Sequence, residues 1–253
     1  MTAGLAIETR DLERRFGRFV AVDRITFDVR EGEVFGFLGA NGAGKTTAIR
    51  MLTGLLAPSG GQARVAGHDV YTESEIIKRQ IGYMSQRFSL YEDLTVVENI
   101  QLYGGIYDLS NAQIRERTDA MLSQLGLTGA ARECVRAIPL GWRQKLAFSV
   151  ALLHQPRIVF LDEPTSGVDP ITRRQFWELI YAAAARGTTV FVTTHYMDEA
   201  EYCDRVSIMV AGRIGAIGTP AELKQQFGAA TMDDVFVALA RPAAETAGSG
   251  AAS

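Results

Sequence analysis

An α/β fold is predicted by three observations. Runs at Val34–Leu38, Ile158–Leu161 and Thr189–Thr193 are short and predominantly apolar without alternation, as expected of strands buried on both faces. A glycine-rich segment, Gly39 to Gly44, follows the first run, and helical spacing follows it. A block at about 88–154 carries helical periodicity throughout, so helices are concentrated between the first and second buried strands.

The elements follow in order. Over residues 5–38, Phe19, Val20, Val22, Ile25, Phe27 and Val29 sit in alternating runs broken by Gly17 and Gly32, which predicts antiparallel strands. After Gly44, Ile49, Leu52, Leu55 and Leu56 share a helical face, and Pro58-Ser59-Gly60-Gly61 predicts a turn that stops it. Helices are predicted over Val96–Tyr107, Ala112–Leu125 and Trp142–Leu153, then over about 171–186 between the last two buried strands. "VSIMVAGRIGAIG" (206–218) predicts a hairpin turning at Ala211-Gly212. Residues 241–253 have no periodicity and are expected to form a disordered tail behind a single domain, 1–240.

Composition narrows the function. An apolar content of 47% over 253 residues supplies a real core, which excludes disordered and fibrous classes. No run approaches the roughly 18 apolar residues of a membrane span, and Glu8, Arg10, Asp11 and Glu13 stand where a signal peptide would be apolar. Cys134 and Cys203 have no disulfide or metal spacing. A net charge of −3 gives no general nucleic-acid footprint, and the cluster Arg10, Arg14, Arg15, Arg18 reads as a solvated face.

Two motifs carry chemistry. "GANGAGKTT", Gly39 to Thr47, fits G-x-x-x-x-G-K-[ST] between a strand and a helix. Gly39, Asn41, Gly42 and Gly44 let backbone N–H groups curl around phosphates, and the helix N-terminus adds partial positive charge. Lys45 supplies a point charge, Thr47 follows on the first turn, and Thr46 is placed to ligate Mg²⁺. "RIVFLDEP" (157–164) delivers two carboxylates at the end of a strand, where ligands bind in open α/β sheets. Asp162 is placed for the Mg²⁺ shell and Glu163 to orient or deprotonate a water.

With these motifs, "DEPTSGVDP" (162–170) and "TTHYMDEAE" (193–201), the chain resembles the nucleotide-binding subunits of ABC transporters from about residue 5 to 240. The resemblance implies an α/β fold with a P-loop NTPase (RecA-like) core, an N-terminal antiparallel β subdomain and an inserted helical subdomain. It implies ATP and Mg²⁺ as cofactors. It makes Gln86, in "YMSQ", a residue that touches Mg²⁺ and water, and His195 the switch histidine at the γ-phosphate. Ser166 to Asp169 matches the loop that crosses the dimer interface, and Phe16, in "RRFG", the aromatic that stacks on adenine.

The family's signature, Leu-Ser-Gly-Gly-Gln, reads here Ile138-Pro139-Leu140-Gly141-Trp142, and of its two glycines only Gly141 survives. The serine hydroxyl is gone and Pro139 removes a backbone donor. Two readings stand open: a loop that still works through Gly141 and the helix dipole, with Pro139 at the first helical position, or a weakened site completed by a partner with an intact signature. "YEDLTVVENIQLYGGIYDLS" (91–110) and "TMDDVFVALA" (231–240) resemble ATPase subunits of ABC-2-type exporters, including multidrug-efflux and daunorubicin-resistance-like systems. The expected partners are ABC-2-type transmembrane permease subunits and a second ABC ATPase subunit, as homodimer or heterodimer, without nucleic acid. The expected location is cytoplasmic, peripheral on the inner face of the cell membrane. The alternative is a non-transport ABC ATPase acting on ribosome or nucleic acid: ribosomal members usually carry two ATPase halves, the second of which a separate partner could supply, and DNA-repair members insert long coiled coils between the phosphate loop and the acidic strand, which this sequence does not. A GTPase or small-molecule kinase would need N-K-x-D or a lid and acceptor site, and no N-K-x-D occurs.

Overall fold

The structure is a computed structural model and describes residues 4–86 and 90–249, with side chains described to residue 241. Among these residues, strands build two sheets. The first contains β1 (Leu5–Phe16), β2 (Phe19–Arg30), β4 (Gly60–Val65) and β5 (His68–Asp69), antiparallel, in the order β2-β1-β4-β5. The second runs β10-β9-β3-β8-β7-β6, from β3 (Val34–Leu38), β6 (Ile81–Met84), β7 (Ile158–Asp162), β8 (Thr189–Thr194), β9 (Arg205–Val210) and β10 (Arg213–Gly218). All of its neighbours are parallel except β9 and β10, the predicted hairpin. Ala211 and Gly212 both take positive φ, 48° and 82°, as a tight hairpin turn requires.

Every residue of β3, β7 and β8 is buried, because one core lies on each face of the parallel sheet. On one face Phe27 of β2 meets Phe37, Phe35 and Phe191 at ring-centroid distances of 5.5, 5.8 and 6.1 Å. Helix α1 (Lys45–Leu52) packs Ala48, Ile49, Met51 and Leu52 into the same core. Such aromatic pairs are worth about 0.5–1.5 kcal/mol each beyond their burial, so this cluster fixes the antiparallel sheet against the parallel one.

The other face carries α3 (Val96–Ile106), α4 (Asn111–Leu125), α5 (Leu140–Ala151) and α6 (Pro170–Ala184). Their ends follow sequence signals. Thr95 and Ser110 form capping boxes with Glu98 and Gln113, Gly126 closes α4 at φ 67°, and Asp169 caps α6 ahead of Pro170. The helices α3, α4 and α5 are inserted between β6 and β7, which nonetheless pair directly, Ile81 with Ile158 through Met84 with Leu161. At the root of the insertion the His154 ring stacks on Tyr107 at 3.6 Å, and its Nε2 lies 3.0 Å from the carbonyl oxygen of Ile81. Arg117 of α4 donates to the neighbouring Leu153 carbonyl.

The structure departs from the sequence reading at several places. Helix α1 stops at Leu52, because Gly54 turns to φ 70° and the N–H groups of Leu55 and Leu56 both donate back to the Arg50 carbonyl at 2.9 Å. Gly60 and Gly61, expected in a turn, begin β4; a Cβ on Gly61 would stand 2.1 Å from the Asp11 carbonyl oxygen, so only glycine admits this pairing. Helix α8 (Met232–Ser249) runs into the segment expected to be a disordered tail. Within that segment Ala243, Ala244 and Ala247 favour helix. Also absent from the reading were α2 (Ser74–Gln80), β6 and α7 (Pro220–Phe227). The expected helical subdomain begins at 88, but residues 87–89 lie outside the described residues.

Candidate ATP-binding and hydrolytic site

The site forms where β3 and β7 end. Past Leu38 the chain turns through Gly39, Gly42 and Gly44 into α1, whose first turn has neither a side-chain cap nor an acidic residue. Its N-terminal N–H groups and dipole are thereby left for an anion. A Cβ on Gly44 would meet the Ala21 carbonyl oxygen at 2.4 Å, at φ 108°, so the loop closes against β2 only with glycine there. Lys45 folds back over the loop, donating to the carbonyls of Gly39 at 2.7 Å and Ala40 at 3.1 Å. Burial lowers its pKa below the ordinary lysine value, opposed by the Glu163 carboxylate 3.3 Å away.

Both carboxylates of β7 arrive at this point. Asp162 is buried, and its Oδ1 accepts from Thr193 Oγ1 at 2.7 Å and Thr46 Oγ1 at 3.2 Å. Burial raises its pKa, and these two hydroxyls pull it down. Among the described residues its Oδ2 is buried without a hydrogen-bond partner. An orphaned anionic oxygen beside a threonine hydroxyl is a donor set that suits a hard divalent cation such as Mg²⁺, which takes one or two carboxylates and leaves other positions to water and phosphate. Glu163 takes a left-handed φ of 51°, held by its N–H donating to Thr193 Oγ1 and to the Thr193 carbonyl at 3.0 and 3.1 Å.

The Glu163 side chain is the meeting point. Its Oε2 accepts from Gln86 Nε2 at 3.1 Å and lies 3.1 Å from His195 Nδ1, while Oε1 faces Lys45. Beside it a cavity of about 420 Å³ is lined by Phe19, Asn41, Lys45, Thr47, Gln86 and Glu163. A larger cavity, about 460 Å³, lies between Lys78, Tyr83, Ile106 and Tyr107 and contains none of these groups.

The structure thus brings together Gly39, Asn41, Gly42, Gly44, Lys45, Thr46, Thr47, Gln86, Asp162, Glu163 and His195. Phe16 is not among the lining residues; the Arg14 guanidinium covers its ring at 4.6 Å, and Phe19, its partner across the hairpin, faces the cavity. Gly141 is elsewhere too, in a groove of about 300 Å³ with Pro139, Leu140, Trp142, Asp169 and Thr172. Pro139 stands at the N-cap of α5 rather than the first helical position, since its carbonyl already accepts from Trp142 and Arg143 N–H at 3.0 Å. Gly141 packs so closely that a Cβ would lie 2.5 Å from Thr172 Cγ2.

Sequence reasoning missed Thr193, whose hydroxyl ties Asp162 to the Glu163 backbone. The one signal was a polar pair, Thr193-Thr194, ending an apolar strand.

Comparison with known proteins decides the family. The ABC transporter model matches residues 22–166. The chain belongs to the ABC transporter family. It is 46% identical over 238 residues to the probable multidrug ABC transporter ATP-binding protein YbhF of Escherichia coli, covering 92% of this chain and 41% of that protein. The chain therefore spans about two fifths of that relative. It is 39% identical to the daunorubicin resistance ATP-binding protein DrrA3 of Streptomyces coeruleorubidus, over 92% of this chain and 74% of the relative. Among solved structures, an ATP-binding subunit of an ABC transporter superposes with a TM-score of 0.83 at 30% identity, covering 92% of this chain and 99% of the other. The fold is that of an ABC ATPase, α/β with a P-loop NTPase core, and no described helix is long and apolar enough to cross a membrane.

Proposed function

We propose that this ABC ATPase domain hydrolyses ATP with Mg²⁺ to drive an ABC-2-type exporter, working as a dimer on the inner face of the cell membrane against permease subunits. The observation that supports it is the convergence on one carboxylate: Lys45, Gln86 and His195 all reach Glu163. Glu163 takes a proton from the attacking water, His195 and Gln86 fix the carboxylate's orientation, and Lys45 exchanges Glu163 for phosphate as nucleotide arrives. Thr46, Asp162 and Gln86 are the residues that would hold Mg²⁺, which when bound neutralises charge on the phosphates. The names of the multidrug and daunorubicin-resistance relatives support export as the work done. The groove at Gly141 lies outside the phosphate-loop cavity, which supports a second subunit supplying that face.

The test is co-expression with a permease and drug uptake into inverted membrane vesicles. ATP-dependent uptake that disappears with Lys45→Ala is the expected result; uptake indifferent to ATP and to Lys45→Ala refutes the motor role.

A further inference from the structure

We propose that Glu199 is a positioning residue that holds Glu163 and His195 in register. The proposal rests on the reading of those two as the hydrolytic pair. Glu199 lies in the 3₁₀ turn Met197–Tyr202 after β8, and its side chain is 0% exposed. A carboxylate wholly out of water must be compensated, and the groups that compensate this one lead in two directions.

The first leads to Glu163. Glu199 Oε1 accepts from Thr165 Oγ1 at 2.7 Å, a buried bond to a residue two positions after Glu163. Thr165 stands inside the turn that keeps Glu163 at positive φ: Ser166 N–H donates to the Glu163 carbonyl at 3.2 Å, and Val168 N–H lies 3.4 Å from the Thr165 carbonyl. Gln144 of α5 donates to the Ser166 carbonyl at 3.1 Å, so the same turn also fixes the signature helix.

The second leads to His195. Arg173 of α6 holds its Nε 3.6 Å from Glu199 Oε1, an ion-pair distance, and lays its guanidinium over the Tyr196 ring at 4.3 Å. The Tyr196 ring lies 4.1 Å from the His195 ring. Arg173 also reaches Asp198 at 3.5 Å. One buried carboxylate therefore stands behind both loops that meet at Glu163 Oε2. Glu199 touches neither reacting group, so its effect is on geometry.

The variants are Thr165→Val, which keeps the branched shape and removes the hydroxyl, and Glu199→Gln, whose amide oxygen still accepts from Thr165. ATP turnover of the full chain is measured with amide hydrogen exchange of the nucleotide-free protein, which needs no turnover. Thr165→Val is expected to lower kcat by about tenfold to a hundredfold with KM changed by less than about twofold, because misplacement of a base costs rate rather than binding. Exchange should quicken at 163–169 and also at 194–197. Glu199→Gln keeps the Thr165 bond and loses the charge that faces Arg173, so its exchange should quicken at 194–197 with 163–169 near wild type, and its kcat should fall less than that of Thr165→Val. A wild-type kcat for Thr165→Val, a loss that resides in KM, quickening confined to 163–169 in Thr165→Val, or wild-type exchange at 194–197 in Glu199→Gln overturns the proposal. Glu163→Gln run in parallel separates the two readings: wild-type turnover there removes Glu163 as base, while hydrogen exchange still decides the link through Glu199.

Discussion

Replacing Glu163 by glutamine should do two opposite things, and their sizes follow from one distance. Glu163 Oε1 stands 3.3 Å from Lys45 Nζ, with both side chains almost fully buried. At an effective dielectric near 20 that pair is worth about 5 kcal/mol of Coulomb attraction. On the proposed role of Lys45 as the charge that meets the phosphates, nucleotide displaces it. Glutamine keeps the shape and removes the attraction, and it removes the repulsion between carboxylate and phosphate. If about a third of the attraction survives as a difference between free and bound states, ATP binds about tenfold more tightly. Turnover goes the other way, falling about 10²–10⁴-fold with loss of the base. Titration of a non-hydrolysable ATP analogue with Mg²⁺ measures the first and phosphate release the second. A second check uses Lys45→Ala: with the lysine gone, adding Glu163→Gln should give a smaller gain in affinity, because only the relieved repulsion between carboxylate and phosphate remains. Unchanged or weaker affinity refutes the competition for Lys45, and unchanged turnover removes Glu163 from the base role.

Two further perturbations probe the scaffold. Burial holds the His154 pKa at about 4, below its ordinary 6.5, so between these values the unfolded chain binds a proton that the folded chain refuses. Stability is then full above about pH 6.5 and lost as pH falls toward 4, by about 1–2 kcal/mol after allowing for partial exposure. His154→Gln keeps a donor toward the Ile81 carbonyl without titrating, so its urea midpoint should fall less between pH 7 and 4.5; equal pH dependence would clear His154 of the effect. Gly141→Ala puts a Cβ 2.5 Å from Thr172 Cγ2 and should cost about 1–3 kcal/mol by overpacking α5 against α6. Thr172→Ser removes that methyl and should restore the midpoint; no rescue would show that the glycine is needed for something other than this contact.

What the sequence made legible was whatever has a local pattern. The buried strands β3, β7 and β8 announce themselves because strands covered on both faces are apolar almost throughout, and α3 and α4 because their apolar residues recur with helical spacing. The phosphate loop and the Asp162-Glu163 pair were legible for the same reason. β6 was not, since Ile81-Gly82-Tyr83-Met84 is four residues long and has no β-branched run. Which of the two aromatics at the hairpin tip lines the cavity was not legible either: Phe16 and Phe19 pair across the turn, and Phe19 is the one that lines it.

Long-range polar contacts lay further out of reach. Thr193 closes an apolar strand and reads as one more β-branched residue, yet its hydroxyl serves Asp162 and its hydroxyl and carbonyl both hold the Glu163 N–H. That bifurcated hydrogen bond from one backbone N–H answers a question the sequence raises but leaves open. Position 163 takes a left-handed φ, where glycine is at ease and a residue with a Cβ costs about 1–2 kcal/mol. Glycine would relieve the strain and carry no carboxylate. Glutamate is held there by Thr193 on one side and by the turn through Ser166 on the other, so strain at the base is offset by bonds from a neighbouring strand. The Glu163 carboxylate is thereby lifted out of the strand direction followed by Asp162, and two adjacent acids face different partners, one Thr46 and the other Lys45, Gln86 and His195, as the proposed division between metal shell and base requires.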